Sequence, residues 1–458
     1  MDFSSQASRR EFLRRAGALG TLGAAAPLAL NLAAMTAASA QTAGDDYRAL
    51  VCVFLYGGND NHNTIVPFDL TTYNQYAAIR TNIAVAYNEL ASTELVPARP
   101  WPDGRQMSLN PALAPFKTLF DNGLLALAMN IGTLIREGTT LDDYERRVGL
   151  PPKLFSHNDQ QSVWQSSLAE GAASGWGGRM GDLLAASNGD AAQFTSISAS
   201  GNAVMMSGNS VIQYQVGSTG SIPVNRVFGS TAATDAMKQL LQQTSSHLFE
   251  DGYASVARRS IEADARVNAA LETAPDLSFP ASRLGAQLKT VARLIAARAA
   301  LGVKRQVFFV SQGGFDNHND LITLHPNLLE TVSTAMKAFF DATVFLGVQD
   351  QVTSFTGADF GRTLSNNGDG SDHGWGSYHF VMGGAVQPRT WVGSLPAMSV
   401  APGPDNVGNG RLLPAIGVDQ YGATLARWFG VSDAEMSTVF PNINNYSNRN
   451  LGFLRDIG

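Results

Sequence analysis

The chain has 458 residues, 44% hydrophobic and 15% charged, a composition that can bury a large core and excludes wholesale disorder. Its net charge of −6 comes without the clustered Lys and Arg that phosphate neutralisation needs, which argues against nucleic acid as a partner. One cysteine, Cys52, leaves no intrachain disulfide to form.

Read from the N-terminus, Ser8-Arg9-Arg10-Glu11-Phe12-Leu13 is a twin-arginine motif. A mildly apolar run from Ala16 to Ala37 follows, and Ala38-Ser39-Ala40 is a small-residue pattern that a signal peptidase accepts. Residues 1–40 therefore read as a twin-arginine signal peptide, with Gln41 as the mature start and a periplasmic or secreted destination. Glycines and polar residues in the run weigh against a retained anchor. No later stretch offers the ~18 consecutive apolar residues that a span requires, so no membrane span is expected in the mature form. Without residues 1–40 the balance is 28 basic against 36 acidic side chains, a net charge of −8.

Leu50–Tyr56 is a continuous apolar run stopped by Gly57-Gly58, the pattern of a central parallel strand, and Cys52 inside it reads as a small buried hydrophobe. Asn110 caps and Pro111 opens a helix to Asp121, and Asn122-Gly123 turns into a second buried strand, Leu124–Ile131. Helical spacing recurs over Asp159–Leu168, Ala232–Leu271 and Ala281–Ala300. Arg305–Ser311 is a further core strand, followed by a helix over Pro326–Leu346, strands Gln351–Thr356 and Tyr378–Met382, and a helix over Val418–Phe429. The alternation predicts an α/β fold, a doubly wound and mostly parallel sheet with helices on both faces. One domain over residues 41–458 is expected, with a Gly-, Ser- and Asn-rich insertion at about 200–230.

In such a sheet, ligands bind beyond the carboxyl ends of the strands. The polar motifs fall there: Gly57-Gly58-Asn59-Asp60-Asn61-His62, Gly313-Gly314-Phe315-Asp316-Asn317-His318, Asp359-Phe360-Gly361-Arg362-Thr363, and Gly370-Ser371-Asp372-His373-Gly374 with His379 beyond. A further segment, Phe155-Ser156-His157-Asn158-Asp159, opens a helix after the second strand. Five of the seven histidines belong to these segments. Carboxylates and imidazoles gathered at strand ends supply the anionic oxygens and neutral nitrogens that a divalent metal takes.

Leu55-Tyr56-Gly57-Gly58-Asn59-Asp60, Gly313 to His318, Asp359 to Thr363 and Asp372-His373-Gly374-Trp375-Gly376, with the run Asp419 to Gly430, resemble the domain of unknown function 1501 family over nearly all of the mature chain. That family looks like a branch of the alkaline phosphatase and sulfatase superfamily, so an alkaline-phosphatase-like fold is implied. Its members are often exported by the twin-arginine route and encoded beside another uncharacterised family. Carried over by position, the resemblance implies that Asp60, Asp372 and His373 hold one metal, and that Asp316, His318 and His379 hold another. Ser156 would be the nucleophile. Asp316 and His318 stand closer together than is usual, which leaves His325 or Asp320 as alternatives to His318. Two cations ~3.5–4 Å apart would clamp an in-line displacement at phosphorus or sulfur, with zinc the first expectation and manganese or calcium as alternatives. Arg362 would grip the non-bridging oxygens.

Plainer readings stand beside these. Ser156 equally fits a helix N-cap, and Arg362 a partner of Asp359. His62 and His157 read as hydrogen-bonded walls of the site, and Trp164, Trp176 and Trp375 as core or lining. Ser221-Ile222-Pro223-Val224-Asn225-Arg226 misses the formylglycine sulfatase pattern by one place, which discounts that branch. Two functions follow. One is an exported metal-dependent hydrolase of phosphate or sulfate esters, acting on a small molecule or a polymer. The other is a non-catalytic metal-binding or scaffold relative acting with a co-exported protein partner. Convergence of Asp60, Ser156, Asp316, Asp372, His373 and His379 in one cavity separates them.

Overall fold

The computed structural model describes residues 47–218, 220–221, 232, 235–236, 239 and 248–455. The signal-peptide reading, most of 233–247 in the helix expected from Ala232, and most of Ser221–Arg226 lie outside the described residues.

The apolar run after the N-terminal segment forms β1 (Arg48–Leu55), buried from Ala49 onward. A small antiparallel sheet follows, made of β2 (Ile65–Pro67), β3 (Glu94–Leu95) and β4 (Met107–Leu109) in the order β2-β4-β3. The main sheet continues with β5 (Leu125–Gly132), β6 (Ser196–Ser198), β7 (Tyr214–Gly217), β8 (Gly220–Ser221), β9 (Arg305–Gln312), β10 (Val352–Ala358), β11 (Ser377–Met382), β12 (Trp391–Gly393) and β13 (Ile416–Gly417). Its order is β12-β5-β11-β10-β1-β9-β6-β7-β8, with β13 also pairing β5. β1 lies between β10 and β9, parallel to both, with Val51 opposite Ser354 on one side and Phe308 on the other. β11 is antiparallel to β10 and β5. The mixed, mostly parallel sheet expected from the sequence is the one observed, and β7–β8 form the small hairpin of the insertion.

The helices before the insertion are α1 (Asn61–Thr64), α2 (Leu70–Arg80), α3 (Ala114–Asp121), α4 (Leu141–Arg146), α5 (His157–Ser166) and α6 (Trp176–Leu184). After it come α7 (Leu248–Glu272), α8 (Arg283–Ala296), α9 (Arg298–Leu301), α10 (Leu321–Phe345) and α11 (Val418–Phe429). None of the helices described is long and apolar enough to cross a membrane.

Strand periodicity sorts side chains into two cores. Ala49, Val51, Val53 and Leu55 of β1 join Phe308 and Val310 of β9 beneath α8 and α10. Leu50, Cys52 and Phe54 join Val307 and Phe309 on the other face, under Trp164 of α5, Trp176 of α6 and Tyr421 of α11. Helices thus cover both faces, which is why the strands read as unbroken apolar runs. The consequence for function is directional. β1, β9 and β10 are parallel, so the loops that follow them emerge at one edge of the sheet.

Candidate metal centre

Beyond that edge the loops are held close by backbone contact. Gly57, just past β1, has φ +111, and a side chain there would collide with the backbone nitrogen of Asp316 at 2.4 Å. Its N–H donates to Asp359 Oδ2 at 3.1 Å, and its carbonyl accepts from Arg362 at 3.1 Å. Gly370 plays the same part for the loop between β10 and β11, since a Cβ there would meet the His318 carbonyl carbon at 2.4 Å. The loops after β1, β9 and β10 are therefore locked into one surface.

Three imidazoles and a carboxylate converge on it. His373 Nε2 lies 3.1 Å from His157 Nε2, 3.0 Å from His318 Nε2 and 3.2 Å from Asp316 Oδ1. His318 Nε2 is 3.1 Å from Asp316 Oδ1, and His157 Nε2 is 3.4 Å from Asp316 Oδ2. The opposite nitrogen of each ring faces an oxygen that only accepts. His157 Nδ1 meets Asp359 Oδ2 at 2.6 Å, His373 Nδ1 the Phe155 carbonyl at 2.7 Å, and His318 Nδ1 Asp372 Oδ1 at 3.2 Å. These acceptors suit a proton on each Nδ1, the tautomer that would leave the three Nε2 lone pairs for a cation.

Lone pairs at hydrogen-bond distance repel unless something positive stands between them. The donor set, three imidazole nitrogens and one carboxylate, fits a divalent cation, and the acceptors behind each ring are the outer partners that metal-bound histidines have. Among the described residues, His157, Asp316 and His373 form a group whose donor atoms lie within 4.8 Å of one another.

The Asp359 hydrogen bond raises the His157 pKa against the opposing effect of burial. Burial lowers that of His373, with the His157 and Arg362 charges adding to it. Burial works to raise the Asp316 carboxyl, but its hydrogen bond and attraction to Arg362 win and hold it low. Asp372 is likewise low: burial opposes, while Asn367 and His318 hydrogen bonds outweigh it. Phe360 packs its ring 4.8 Å from both the His157 and His373 rings and keeps them from turning.

Of the metal ligands expected from the sequence, the fold brings together Asp316, His318 and His373, and puts Asp372 behind His318. His318 is the neighbour that meets Asp316. His325 is buried against Asn59 Oδ1 at 2.9 Å instead, and Asp320 is the N-terminal cap residue of α10. Asp60 is not brought in. It is 1% exposed, ion-paired with Arg80 of α2, and accepts from the His62 and Asn63 amides at 3.0 and 3.2 Å and from Ser371 Oγ at 3.1 Å. Burial would raise its pKa, but Arg80, His325 and His62 more than offset that and hold it at about 2. A guanidinium already neutralises this carboxylate. His379 is not brought in either: β11 carries it into the core, its ring 5.7 Å from Trp164 and 6.0 Å from Tyr421, and burial drops its pKa to about 3.

Arg362 does not extend to a substrate. Its side chain is fully buried, with one terminal nitrogen on Asp316 Oδ1 at 2.6 Å, the other on the Ser371 carbonyl, and Nε 3.4 Å from Ser371 Oγ. It pairs with Asp316, not Asp359. Ser156 stands at the N-terminal cap position of α5, but its hydroxyl caps no amide; it donates to Asp159 Oδ2 at 2.7 Å. The residues the sequence reading undervalued are His157, taken there as a wall, and Asp359, taken only as an arginine partner. Both lie in the polar segments that follow strands, the signal by which they were within reach.

Among solved structures the chain is similar to the lipoteichoic acid synthase LtaP from Listeria monocytogenes, at 9% identity and a TM-score of 0.34, covering 91% of this chain and 76% of that one. It is similar to Ps i-CgsB at 10% identity and a TM-score of 0.36, covering 88% and 77%. A mutant of the alkaline phosphatase PafA is similar at 10% identity and a TM-score of 0.26, covering 69% and 64%. No curated protein matches the sequence. A family described as "Protein of unknown function (DUF1501)" matches residues 47–435, and the chain belongs to that family.

Proposed function

We propose that this protein is an exported, divalent-metal-dependent hydrolase of phosphate or sulfate esters, built as one domain over residues 41–458. The observation that carries the reading is the meeting of three imidazole Nε2 atoms at Asp316, 3.1 to 3.4 Å from its oxygens. His157, His318, His373 and Asp316 would hold the cation. Nitrogen-rich donors favour zinc, with manganese next; calcium, which takes oxygen ligands, suits them least. When bound, the cation supplies positive charge that polarises a phosphoryl or sulfuryl oxygen.

The chain's own groups do the rest. Asp359, Asp372 and the Phe155 carbonyl fix the three rings, and Arg362 fixes Asp316. Ser156 lies between Phe155 and His157, so its hydroxyl is the nucleophile candidate carried on the same turn as a ring and its anchor. The side chains of Asp316, His318 and Asp372 are almost half exposed, which leaves the centre open to an ester on a small molecule or a polymer. Export rests on the Arg9-Arg10 motif; replacing both with lysine should leave the protein inside the cell with its signal uncleaved.

A second reading, a non-catalytic scaffold for a co-exported partner, is favoured by two observations. Asp60 and His379 stay outside the cluster, so the six side chains do not converge, and Arg362 is buried and engaged with Asp316, so the anion-gripping role expected of it is unfilled. Metal analysis of the purified mature protein, alongside aryl phosphate and aryl sulfate turnover, separates the two. The hydrolase reading expects roughly one metal per chain and turnover that chelation and His373→Ala both abolish. Metal without turnover selects the scaffold, and absence of metal sinks the hydrolase.

A further inference from the structure

Two helices of this protein begin with the same four-residue pattern, a hydroxyl residue followed three places later by aspartate. At α4 the pattern forms a reciprocal cap. Thr140 Oγ1 accepts from the Asp143 amide at 3.2 Å, and Asp143 Oδ2 accepts from the Thr140 amide at 2.9 Å. The Thr140 hydroxyl also donates to that carboxylate at 2.9 Å, so its oxygen is used in both directions.

At α5 the same residue types do something else. The Ser156 hydroxyl accepts nothing from the first turn, and its amide donates to the Lys153 carbonyl at 3.2 Å. Its one hydrogen bond is the donation to Asp159 Oδ2 at 2.7 Å. Asp159 is buried, and its other oxygen lies 3.3 Å from Lys153 Nζ. The turn before the helix is strained, with φ +42 at Lys153 and +70 at Phe155, and Phe155 is the residue whose carbonyl anchors His373. A capping bond is worth ~1 kcal/mol, and this serine forgoes it to donate to a buried carboxylate two residues beyond His157 on the same helix turn.

We propose that Asp159 is a positioning residue for Ser156. It takes the hydrogen bond of the hydroxyl, fixes the side chain in one rotamer, and leaves the Oγ lone pairs free of the helix and available to an ester at the centre. Lys153 holds Asp159 from the other side. The proposal rests on the reading of Ser156 as nucleophile in a metal-dependent hydrolase.

The test uses the full mature protein loaded with zinc, with an aryl phosphate and an aryl sulfate as probes. Four quantities are measured for Ser156→Ala, Asp159→Asn and Asp159→Glu: kcat, KM, bound zinc and the melting midpoint. Expected is loss of turnover in Ser156→Ala with zinc retained. Asp159→Asn should lower kcat about 10–100-fold with KM within about twofold and zinc unchanged, and Asp159→Glu should recover part of the loss. A cap-only role would move the melting midpoint and leave kcat alone. If Asp159→Asn does not fold, Asp159→Glu decides: wild-type kcat overturns the proposal, and a reduced kcat with zinc retained supports it. Full kcat in Asp159→Asn overturns the positioning role and leaves the hydrolase reading standing. Full kcat in Ser156→Ala, or a zinc-loaded wild type that turns over neither probe, removes the nucleophile reading and this proposal with it.

Discussion

Two adjacent parallel strands end in nearly the same words. β1 is followed by Gly57-Gly58-Asn59-Asp60-Asn61-His62 and β9 by Gly313-Gly314-Phe315-Asp316-Asn317-His318. Their fates differ. Asp60 turns inward, starts the short helix α1 and is closed off by Arg80, while His62 beside it is buried, its pKa lowered to about 4 by burial and by the Arg80 charge. Asp316 stays 45% exposed and meets three imidazoles. A guanidinium is always charged and satisfies a carboxylate permanently; imidazoles with free Nε2 atoms do so only with a proton or a metal between them. Nearly identical motifs therefore yield a structural strut at one strand end and a half-exposed carboxylate among imidazoles at the next.

The largest test of that contrast is Asp60→Ala. Removing one partner of a buried pair leaves Arg80 unpaired, and the expected loss is about 3–5 kcal/mol in urea unfolding of the metal-free protein. Metal content of the folded fraction should not change; if the variant lost its metal and kept its stability, the roles assigned to the two motifs would be exchanged. Next is His157→Ala, which removes a direct donor. Metal affinity in a chelator competition should fall by roughly 100-fold or more, with the metal-free unfolding midpoint nearly unmoved. Asp359→Asn keeps the donor and weakens only its anchor, so a smaller decrease of about 10–100-fold is expected. An equal or larger loss than in His157→Ala would place Asp359 on the metal itself.

The smallest effect sharpens the burial side of the comparison. Asp419 of α11 is also buried, but burial outweighs its Ser167 and Asn442 hydrogen bonds and the Arg179 charge, and its pKa rises to about 6. Between its unfolded and folded values the native state holds more protons than the unfolded chain. Stability from this group is therefore complete at low pH and lost as pH rises through about 6. Asp60 has the opposite sign, its contribution present above the unfolded value and lost as pH falls towards about 2. Asp419→Asn should flatten the dependence of the unfolding midpoint between about pH 4 and 6. An unchanged slope would mean that the carboxyl is not the group responsible.

Several of these features were legible in the sequence. The strand expected at Arg305–Ser311 ends one residue short of β9, and the helix over Val418–Phe429 coincides with α11. Ser156, His157, Asp316, His318, Asp359, Asp372 and His373 all lie in segments that the strand-end rule singled out. The rule could not say which members of those segments would face one another. The superfamily resemblance assigned His379 to a metal, but β11 runs against its neighbours and carries that ring into the aromatic core.

What the sequence by itself determined is the sheet, its two cores and the edge at which the polar loops gather. Those depend on periodicity and burial, which are written locally along the chain. What only the tertiary structure decided is which charge meets which: Arg80 with Asp60, Arg362 with Asp316, His157 with Asp359 across a separation of 202 residues. Ion pairs and hydrogen bonds act over a few ångströms and carry no sequence period, so the choice between a carboxylate sealed by a guanidinium and one set among imidazoles is made only when the loops pack.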